Sequence, residues 1–301
     1  MMAKFSVKKT DREIAKRQAS NVMKILQADV FRSVGTVRNY QAALTRIALY
    51  FRINGGVNLQ DVTPEMATVY FHQRAAAVGQ KSLDMERQAL QAMMIHLTQE
   101  LPSGEVLEIV HSLKHRKLLS RSYTTEQIFL ISSHQSDKNG LATLIAYNAG
   151  LRSHELFTIC ELQQRQPNIR PVSAKKFMGR SGKAYTVQGK GGLIREIRLS
   201  TDLAEKLETT RLPEPIKITD RGIRYDQFYA IAGGQSWSRS FSTASTRILG
   251  WSAGSHGTRH SYAQERMEEL QSLGCHYAEA LKIVSQELGH FRPEITEVYL
   301  R

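Results

Sequence analysis

The sequence predicts an α+β fold that is mostly helical, with an all-helical domain over 1–118 and a mixed α/β domain over 119–301 that contains a small antiparallel sheet. The length of 301 residues favours two domains, and 41% apolar residues are enough to form their cores. Apolar residues recur at helical spacing along most of the chain, whereas 168–200 change to β-rich runs around a glycine turn.

The first domain is predicted from four helices. The clearest spans 36–54, where five large apolar residues share one face: Val37, Tyr40, Leu44, Ile47 and Phe51. A second begins at 63–65, which supply a capping threonine, a first-turn proline and an acid in order. A third follows Ser82, and a fourth is predicted over 104–119.

The second domain opens with a capping box, Thr124-x-x-Gln127, and continues with a helix over 141–148. A glycine then precedes Arg152, which we predict at the start of the next helix. A guanidinium beside the free N–H groups of a helix start is a good anion site. A structural ion pair between Arg152 and Glu155 is the alternative.

The β-rich runs flank Gly189-Lys190-Gly191-Gly192, a hairpin turn signal with Lys190 at its tip. Glycines allow the backbone to approach a ligand closely, although an ordinary solvated lysine fits the same turn. The P-loop spacing GxxxxGK[ST] is absent, so ATP binding is not indicated. A helix is predicted over 202–210, and 211–235 are predicted to be irregular.

The end of the chain is predicted to be helical again. Ser236 is predicted to cap one helix, and another begins at His260. An apolar stripe over 277–288 ends at Gly289, and a final short helix begins at Pro293.

The charge balance indicates a polyanionic partner. Lys and Arg exceed Asp and Glu by 13, and both halves of the chain share this excess. Nucleic acid is the first candidate and an anionic membrane surface the second. A basic linker is predicted over 114–124. Any one of these cations could simply be solvated, but as a set we expect phosphate contacts from Arg38, Arg46, Lys114, Arg116, Lys117 and Arg121.

Several classes of protein are disfavoured. Two cysteines, Cys160 and Cys275, are too few for a disulfide scaffold and lack metal-ligand spacing. No apolar run approaches the length of a membrane span, and the first residues lack the apolar segment of a secretory signal. We expect a cytoplasmic protein that uses neither a metal nor a cofactor.

Four polar residues near the end of the chain form the candidate reactive group: His256, Arg259, His290 and Tyr299. Each has a structural alternative, because histidines can cap helices, arginines can form ion pairs and tyrosines can pack in cores. In a strongly basic protein, the combination suggests a tyrosine nucleophile directed at a phosphate.

Together these motifs resemble the tyrosine recombinases of the phage-integrase family. The matching residues are Arg152 in GLRSHEL, Lys190 in the hairpin, His256-x-x-Arg259, and Leu288-Gly289-His290 with Tyr299 nine residues later. Arg259 and His290 are 31 residues apart, longer than in compact members, and the extra length is predicted as a longer helix or a helical hairpin. The resemblance implies a core-binding domain over 1–118 and a catalytic domain over 119–301.

The resemblance also implies roles for these residues. Tyr299 would attack a DNA phosphate and form a 3′-phosphotyrosyl intermediate. Arg152 and Arg259 would hold the phosphate oxygens, and Lys190 would protonate the leaving 5′ oxygen. One histidine must take the tyrosine proton. We favour His256, with His290 orienting and hydrogen-bonding the phosphate, and Glu155 would position Arg152.

The implied partner is double-stranded DNA with inverted-repeat core sites. The implied assembly is a tetramer on DNA and a monomer or weak oligomer in solution, with or without an accessory DNA-bending protein. The implied biological role is integration or resolution of a mobile genetic element. Two alternatives stay open, a catalytically idle DNA-binding protein with the same fold and a type IB topoisomerase-like enzyme.

Overall fold

The computed structural model describes residues 10–31, 34–114 and 120–301, and the chain forms two compact units, Met1–Lys117 and Leu118–Arg301. The predicted fold class is confirmed, since helices predominate and the strands form two small antiparallel sheets. In the described part of the chain, no helix is long and apolar enough to cross a membrane.

Within its described residues, the first unit has four α-helices: α1 (Asp11–Asp29), α2 (Val34–Gly55), α3 (Pro64–Ala75) and α4 (Gln80–Met93), the last followed by a π-helical turn over Met94–Thr98. The sequence interpretation did not include α1, which begins with a reciprocal capping box between Thr10 and Glu13. Thr63 caps α3 as predicted, and α4 begins two residues before Ser82.

A buried carboxylate ties the helices of the first unit together. Glu86 on α4 is fully buried and accepts hydrogen bonds from Arg46 (2.8 Å), Arg74 (3.1 Å) and the Tyr70 hydroxyl (2.8 Å). A buried charge is tolerated when its hydrogen-bonding capacity is filled in this way. Part of the Arg46 guanidinium, predicted to contact DNA, is therefore already committed to this carboxylate.

The helix predicted over 104–119 is wrong for 104–114, and 115–119 lie outside the described residues. Residues 105–113 form neither helix nor strand, and some of their backbone groups bond to side chains of α4. Leu107 N donates to Gln91 (3.1 Å) and Ser112 N donates to Gln80 (2.8 Å). These bonds replace the helical ones, and Leu107 and Val110 are still buried. Apolar spacing alone cannot distinguish this arrangement from a helix.

The second unit contains the remaining elements in chain order: α5 (Thr125–Ser133), α6 (Asp137–Asn148), β1 (Cys160–Glu161), β2 (Lys183–Gln188), β3 (Ile194–Leu199), α7 (Thr201–Glu208), β4 (Arg211–Asp220), β5 (Ile223–Tyr229), α8 (Gly234–Leu249), α9 (Gly257–Ser272), α10 (Tyr277–Glu287) and α11 (Pro293–Thr296). β1, β2 and β3 pair in that order, and β2 and β3 form the predicted hairpin. The α9–α10 pair is the predicted helical hairpin. The predicted capping box at Thr124 is confirmed.

The prediction that 211–235 are irregular is wrong, because β4 and β5 form a second antiparallel hairpin. The ladder is regular from Ile216 to Asp220, and the two prolines lie in the shifted register between Arg211 and Ile216. Proline has no N–H to give to a ladder and is tolerated at such irregularities. Arg221 and Gly222 at the turn both have positive φ, as the tight turn of a twisted hairpin requires.

Candidate active site

The candidate site is built on the first two turns of α9. His256 is the N-cap residue of this helix, and the next seven residues, 257–263, are all buried. No face of these turns is left to solvent, so the polar side chains among them lie inside the protein. Two of them face Tyr299. The Arg259 guanidinium carbon lies 5.6 Å from the centre of the Tyr299 ring, and the His260 and Tyr299 ring centres are 4.8 Å apart.

Arg152 and His290 are positioned by the same local device. α6 and α10 each end with a glycine in the left-handed conformation, Gly150 (φ 60°) and Gly289 (φ 72°). Past Gly289, His290 N donates back to Ser285 O (2.9 Å), as in a Schellman motif. Arg152 therefore follows a helix end and was wrongly predicted to begin a helix, since only a single 3-10 turn, Glu155–Thr158, comes after it.

Arg259 joins these two helix ends. Its Nη1 donates to Gly150 O at the end of α6, and its Nη2 donates to Leu288 O at the end of α10 (2.5 Å). The C-terminus of a helix carries partial negative charge, so a cation is stabilised there. The Arg259 side chain is 0% exposed, and its Nε has no hydrogen-bond partner among the described residues. Burial, followed by the charge of Arg152, lowers its pKa to about 10.

Glu155 is the anion at the centre of three arginines. Its Oε1 accepts from Arg152 Nη1 (2.7 Å), its Oε2 accepts from Arg195 Nη2 (2.9 Å), and Arg259 Nη1 lies 3.8 Å from Oε2. Burial by itself raises the pKa of Glu155, but Arg195, Arg259 and Arg152 outweigh it and hold the pKa well below its ordinary value. Three guanidinium groups share one carboxylate, which leaves an excess of positive charge that suits an anionic ligand.

Tyr299 lies on a 3-10 turn after α11 and is 8% exposed. Its hydroxyl is 3.2 Å from His256 Nε2, so the proton of the hydroxyl can pass to that nitrogen. Gln264, one turn after His260, fixes the same segment by donating to Tyr299 O (3.1 Å) and Arg301 O (3.2 Å). One helix, α9, thus holds the tyrosine from both its ring and its backbone.

Three histidine rings surround Tyr299, with centroids at 5.4 Å for His256, 4.8 Å for His260 and 5.2 Å for His290. Burial is the largest cause that lowers all three pKa values, to about 3, about 4 and about 3 respectively. The charge of Arg259 comes next for His256 and His290. The three rings are therefore neutral at pH 7 and able to accept a proton.

The His290 ring lies between Arg259 and Thr296. Its Nε2 is 3.0 Å from Arg259 Nη2, and its Nδ1 is 3.2 Å from Thr296 Oγ1. Because an arginine can only donate, Nε2 must accept and the ring proton must lie on Nδ1. In this arrangement His290 accepts a hydrogen bond from Arg259, and its predicted bond to the phosphate stays a prediction.

Lys190 lies at the exposed tip of the β2–β3 hairpin, on the short turn Lys190–Gly192. The preceding residue places this tip beside the arginine cluster: a side-chain carbon added to Gly189 would lie 3.1 Å from Glu155 Oε1 and 3.7 Å from Arg152 Nη1. The backbone just before Lys190 therefore lies close to the Glu155–Arg152 pair.

The six proposed reactive residues and Glu155 thus belong to one region of the second unit. Arg121 adjoins it, since its Nη2 donates to Ala253 O (2.8 Å) in the loop before His256. Of the other predicted DNA contacts, Arg38 and Lys114 are exposed in the first unit, Arg46 pairs with Glu86, and Arg116 and Lys117 lie outside the described residues.

Sequence reasoning missed three residues of this region: His260, Gln264 and Arg195. His260 and Gln264 are one turn apart after Arg259, so their spacing on α9 could have indicated them. No local signal distinguishes Arg195, because it alternates with half-exposed residues along β3 as any inward-facing strand residue does. Across the described part of the chain, no three His, Cys, Asp or Glu side chains are grouped so as to hold a metal ion.

The three lowered histidine pKa values predict acid sensitivity of the second unit. An unfolded histidine titrates near pH 6.5, so between that pH and about 4 the unfolded chain binds protons that the folded protein does not. The free energy of unfolding should therefore fall as pH falls, by up to about 1.4 kcal/mol per pH unit for each histidine. Urea titrations followed by tryptophan fluorescence report this unit, since both tryptophans, Trp237 and Trp251, lie in it.

In the His260→Gln variant, the free energy of unfolding should depend less steeply on pH, by about the contribution of one histidine. His276→Gln, which removes an exposed histidine from the same unit, should leave the curve unchanged. Parallel curves for the wild type and His260→Gln between pH 6 and pH 4.5 would show that His260 is not held neutral by the fold.

The fold is shared with solved site-specific recombinases. The lambda integrase dimer bound to a COC′ core site matches with a TM-score of 0.60 and 17% identity over 95% of this chain and 76% of that one. XerH recombinase in a pre-cleavage complex with difH substrate matches with a TM-score of 0.58 and 15% identity, over 100% of this chain and 96% of that one. The Tn1549 transposon integrase in complex with a circular intermediate DNA matches with a TM-score of 0.57 and 12% identity, over 95% of each chain. Neither a protein-family model nor a curated protein matches. The chain therefore has the fold of the tyrosine recombinases.

Proposed function

We propose that this protein is a site-specific DNA recombinase that cuts and rejoins strands through a covalent bond between Tyr299 and DNA. One observation carries the proposal: the Tyr299 hydroxyl lies 3.2 Å from His256 Nε2, within an environment of excess positive charge. A nucleophile paired with a base, beside fixed cations, is the arrangement that a phosphoryl transfer requires.

In the proposed first step, Tyr299 Oη attacks the scissile phosphorus. The Oη–P bond forms, the P–O5′ bond breaks, and the tyrosine proton passes to His256 Nε2. Lys190 donates a proton to the departing 5′ oxygen, which leaves a 3′-phosphotyrosyl bond and a free 5′-hydroxyl. In the second step a 5′-hydroxyl of a partner strand attacks the phosphotyrosine and restores the tyrosine. No external energy source is needed, because the ester bond is conserved in the intermediate.

His256 suits the role of base in its neutral form. Its pKa of about 3 is too low for strong basicity in the free protein. A phosphate placed beside it would add negative charge, and nearby negative charge raises a histidine pKa. We therefore infer that DNA binding itself makes His256 a stronger base.

The arginines would stabilise the charge that builds on the phosphate oxygens. Arg152 keeps 23% of its side chain exposed, so its unused N–H groups are open to a ligand. Arg259 is fully buried, and its guanidinium carbon lies 5.6 Å from the centre of the Tyr299 ring. We infer that the phosphate first meets Arg152 and reaches Arg259 as the tyrosine ring shifts to attack. Preorganised donors of this kind lower barriers strongly.

The proposed substrate is duplex DNA with inverted-repeat core sites. The likeness to lambda integrase on a core site, and to its tetramer bound to a Holliday junction, supports a cyclic assembly on DNA. We propose the first unit, predicted over 1–118, as the core-binding domain and the second, predicted over 119–301, as the catalytic domain. The proposed contacts of the protein with DNA phosphates are Arg38, Arg46, Lys114, Arg116, Lys117 and Arg121. The proposed biological role is that of an integrase or resolvase of a mobile element.

Covalent trapping tests this function. Duplexes that the protein selects from a random pool are rebuilt with a nick a few nucleotides to the 3′ side of the scissile phosphate, so that the short fragment with the free 5′-hydroxyl diffuses away after cleavage. We expect an SDS-resistant adduct linked to the 3′ end of the cut strand, and mass spectrometry should place the linkage on Tyr299.

The same assay separates the alternatives. Selective binding without any adduct would identify an idle DNA-binding protein and refute the proposed activity. Adducts on every sequence, with relaxation of supercoiled plasmid and no strand exchange between two sites, would identify a type IB topoisomerase-like enzyme.

A further inference from the structure

Arg195, on β3, is a charged side chain that is almost completely removed from solvent, with 3% exposed. A buried guanidinium destabilises a fold unless its charge and its N–H groups are matched. Nη2 of Arg195 donates to Glu155 Oε2 (2.9 Å) and Nη1 donates to the backbone oxygen of Glu287 (2.6 Å). Unlike Arg259, whose guanidinium carbon lies 5.6 Å from the centre of the Tyr299 ring, Arg195 bonds to Glu155 and to the end of α10, so its effect on a phosphate should pass through these two neighbours.

The first neighbour is the carboxylate that holds Arg152. Glu155 accepts from Arg152 Nη1 on one oxygen, while the other oxygen accepts from Arg195 and from Arg152 N (2.8 Å). Rotation of the carboxylate would break these bonds together. Arg195 therefore fixes the orientation of Glu155, and Glu155 in turn fixes the guanidinium of Arg152.

The second neighbour is the end of α10, which carries His290. Besides the bond to Glu287 O, the Arg195 side chain packs on Gly289, where an added Cβ would lie 2.7 Å from Arg195 Cδ. Arg195 thus fills the space beside the left-handed glycine that turns the chain toward His290. Its own strand leads directly from the hairpin that carries Lys190.

We propose that Arg195 is a positioning residue for DNA cleavage: it fixes the hairpin, the Glu155–Arg152 pair and the His290 turn relative to one another. This inference rests on the proposed phosphotransfer function. Small misplacements of catalytic groups cost about 100-fold in rate. If one side chain fixes three segments, a change in that side chain should therefore slow the chemical step.

The Arg195→Lys variant tests the proposal. Lysine keeps the charge but has one nitrogen, which cannot replace the two separate Nη donors. We expect adduct formation at saturating DNA to slow by about 100-fold, with DNA affinity within about threefold of the wild type. The control is Arg266→Lys. Arg266 is also fully buried, and it bonds to the Glu287 carboxylate (3.0 Å). The Arg266→Lys variant should be less stable than the wild type, while its cleavage rate stays within about threefold of the wild-type rate.

A second substrate distinguishes positioning from general damage to the fold. A methylphosphonate at the scissile position lacks the negative charge that Arg152 and Arg259 neutralise, so correct arginine placement should matter less. The Arg195→Lys defect should then shrink to below about tenfold, whereas a merely structural defect would be equal on both substrates. The effects of Arg195→Lys and Arg152→Ala should be less than fully additive in the double variant, because part of the Arg195 effect acts through Arg152.

Each outcome decides the matter. A wild-type rate for Arg195→Lys, equal slowing in Arg266→Lys, or full additivity with Arg152→Ala would overturn the positioning role while the proposed function stands. A wild-type protein that forms no adduct would refute the proposed function and this inference with it.

Discussion

Tyr299→Phe is expected to abolish covalent adduct formation, by more than about 10⁴-fold, while DNA binding stays within about threefold of the wild type. The reason is the absence of the attacking oxygen, since phenylalanine preserves the ring that packs among the three histidines. The lost hydrogen bond to His256 spans 3.2 Å, and its removal should change the free energy of unfolding by no more than about 1 kcal/mol. Gel analysis of the nicked substrate gives the first quantity and urea titration the second.

Tyr277→Phe is the matched control for this experiment. Tyr277 is in the same unit and 51% exposed, at the first position of α10, so its variant should form the wild-type amount of adduct. An adduct that persists in Tyr299→Phe would show that another residue is the nucleophile and would reject the assignment.

Arg152→Ala and Arg259→Ala are each expected to slow cleavage by about 100- to 1,000-fold, but with different effects on stability. Arg152 is partly exposed, and Glu155 keeps Arg195 as a partner when Arg152 is removed. Arg259 joins the ends of α6 and α10, so its removal leaves the carbonyls of Gly150 and Leu288 without a buried donor. We expect Arg259→Ala to lose about 3 to 5 kcal/mol and Arg152→Ala clearly less.

DNA affinity provides the check on this prediction. Both variants should bind selected duplexes within about threefold of the wild type, because many lysines and arginines share the backbone contacts. Measurements at 50 mM and 200 mM salt should give parallel slopes for all three proteins. Complete loss of binding in Arg152→Ala would mean that this arginine recruits DNA, and its assignment to the chemical step would be wrong.

The sequence was sufficient for features that depend on nearby residues. The capping box at Thr124, the β2–β3 hairpin around Lys190 and the glycine that ends α10 are each formed within a few residues. Short-range backbone preferences dominate such features. Two predictions failed for different reasons. Residues 105–113 are not helical because glutamine side chains of α4, distant in the chain, bond to their backbone. The irregular stretch predicted over 211–235 instead pairs with itself as the β4–β5 hairpin, with its two prolines where the register shifts.

The candidate site divides in the same way. The residue types and spacing of Arg152, His256, Arg259, His290 and Tyr299 were enough to propose phosphate chemistry with a tyrosine nucleophile. The partner of each side chain was not predictable. Arg259 bonds to Gly150 O and to Leu288 O, which are 109 and 29 residues away in the chain. Every residue has a backbone oxygen, so the type of a residue does not reveal that its backbone accepts such a bond.

The sequence by itself determined the two-part, mostly helical architecture, the basic character and the set of proposed reactive residues. These follow from composition and from periodicities that each stretch of chain carries alone. Only the tertiary structure decided that His256 meets the Tyr299 hydroxyl, that His290 is turned toward Arg259, and that Arg195 belongs to the arginine cluster. The physical reason is that burial and hydrogen-bond geometry arise when distant segments pack, and they assign a role to a side chain whose type allows several.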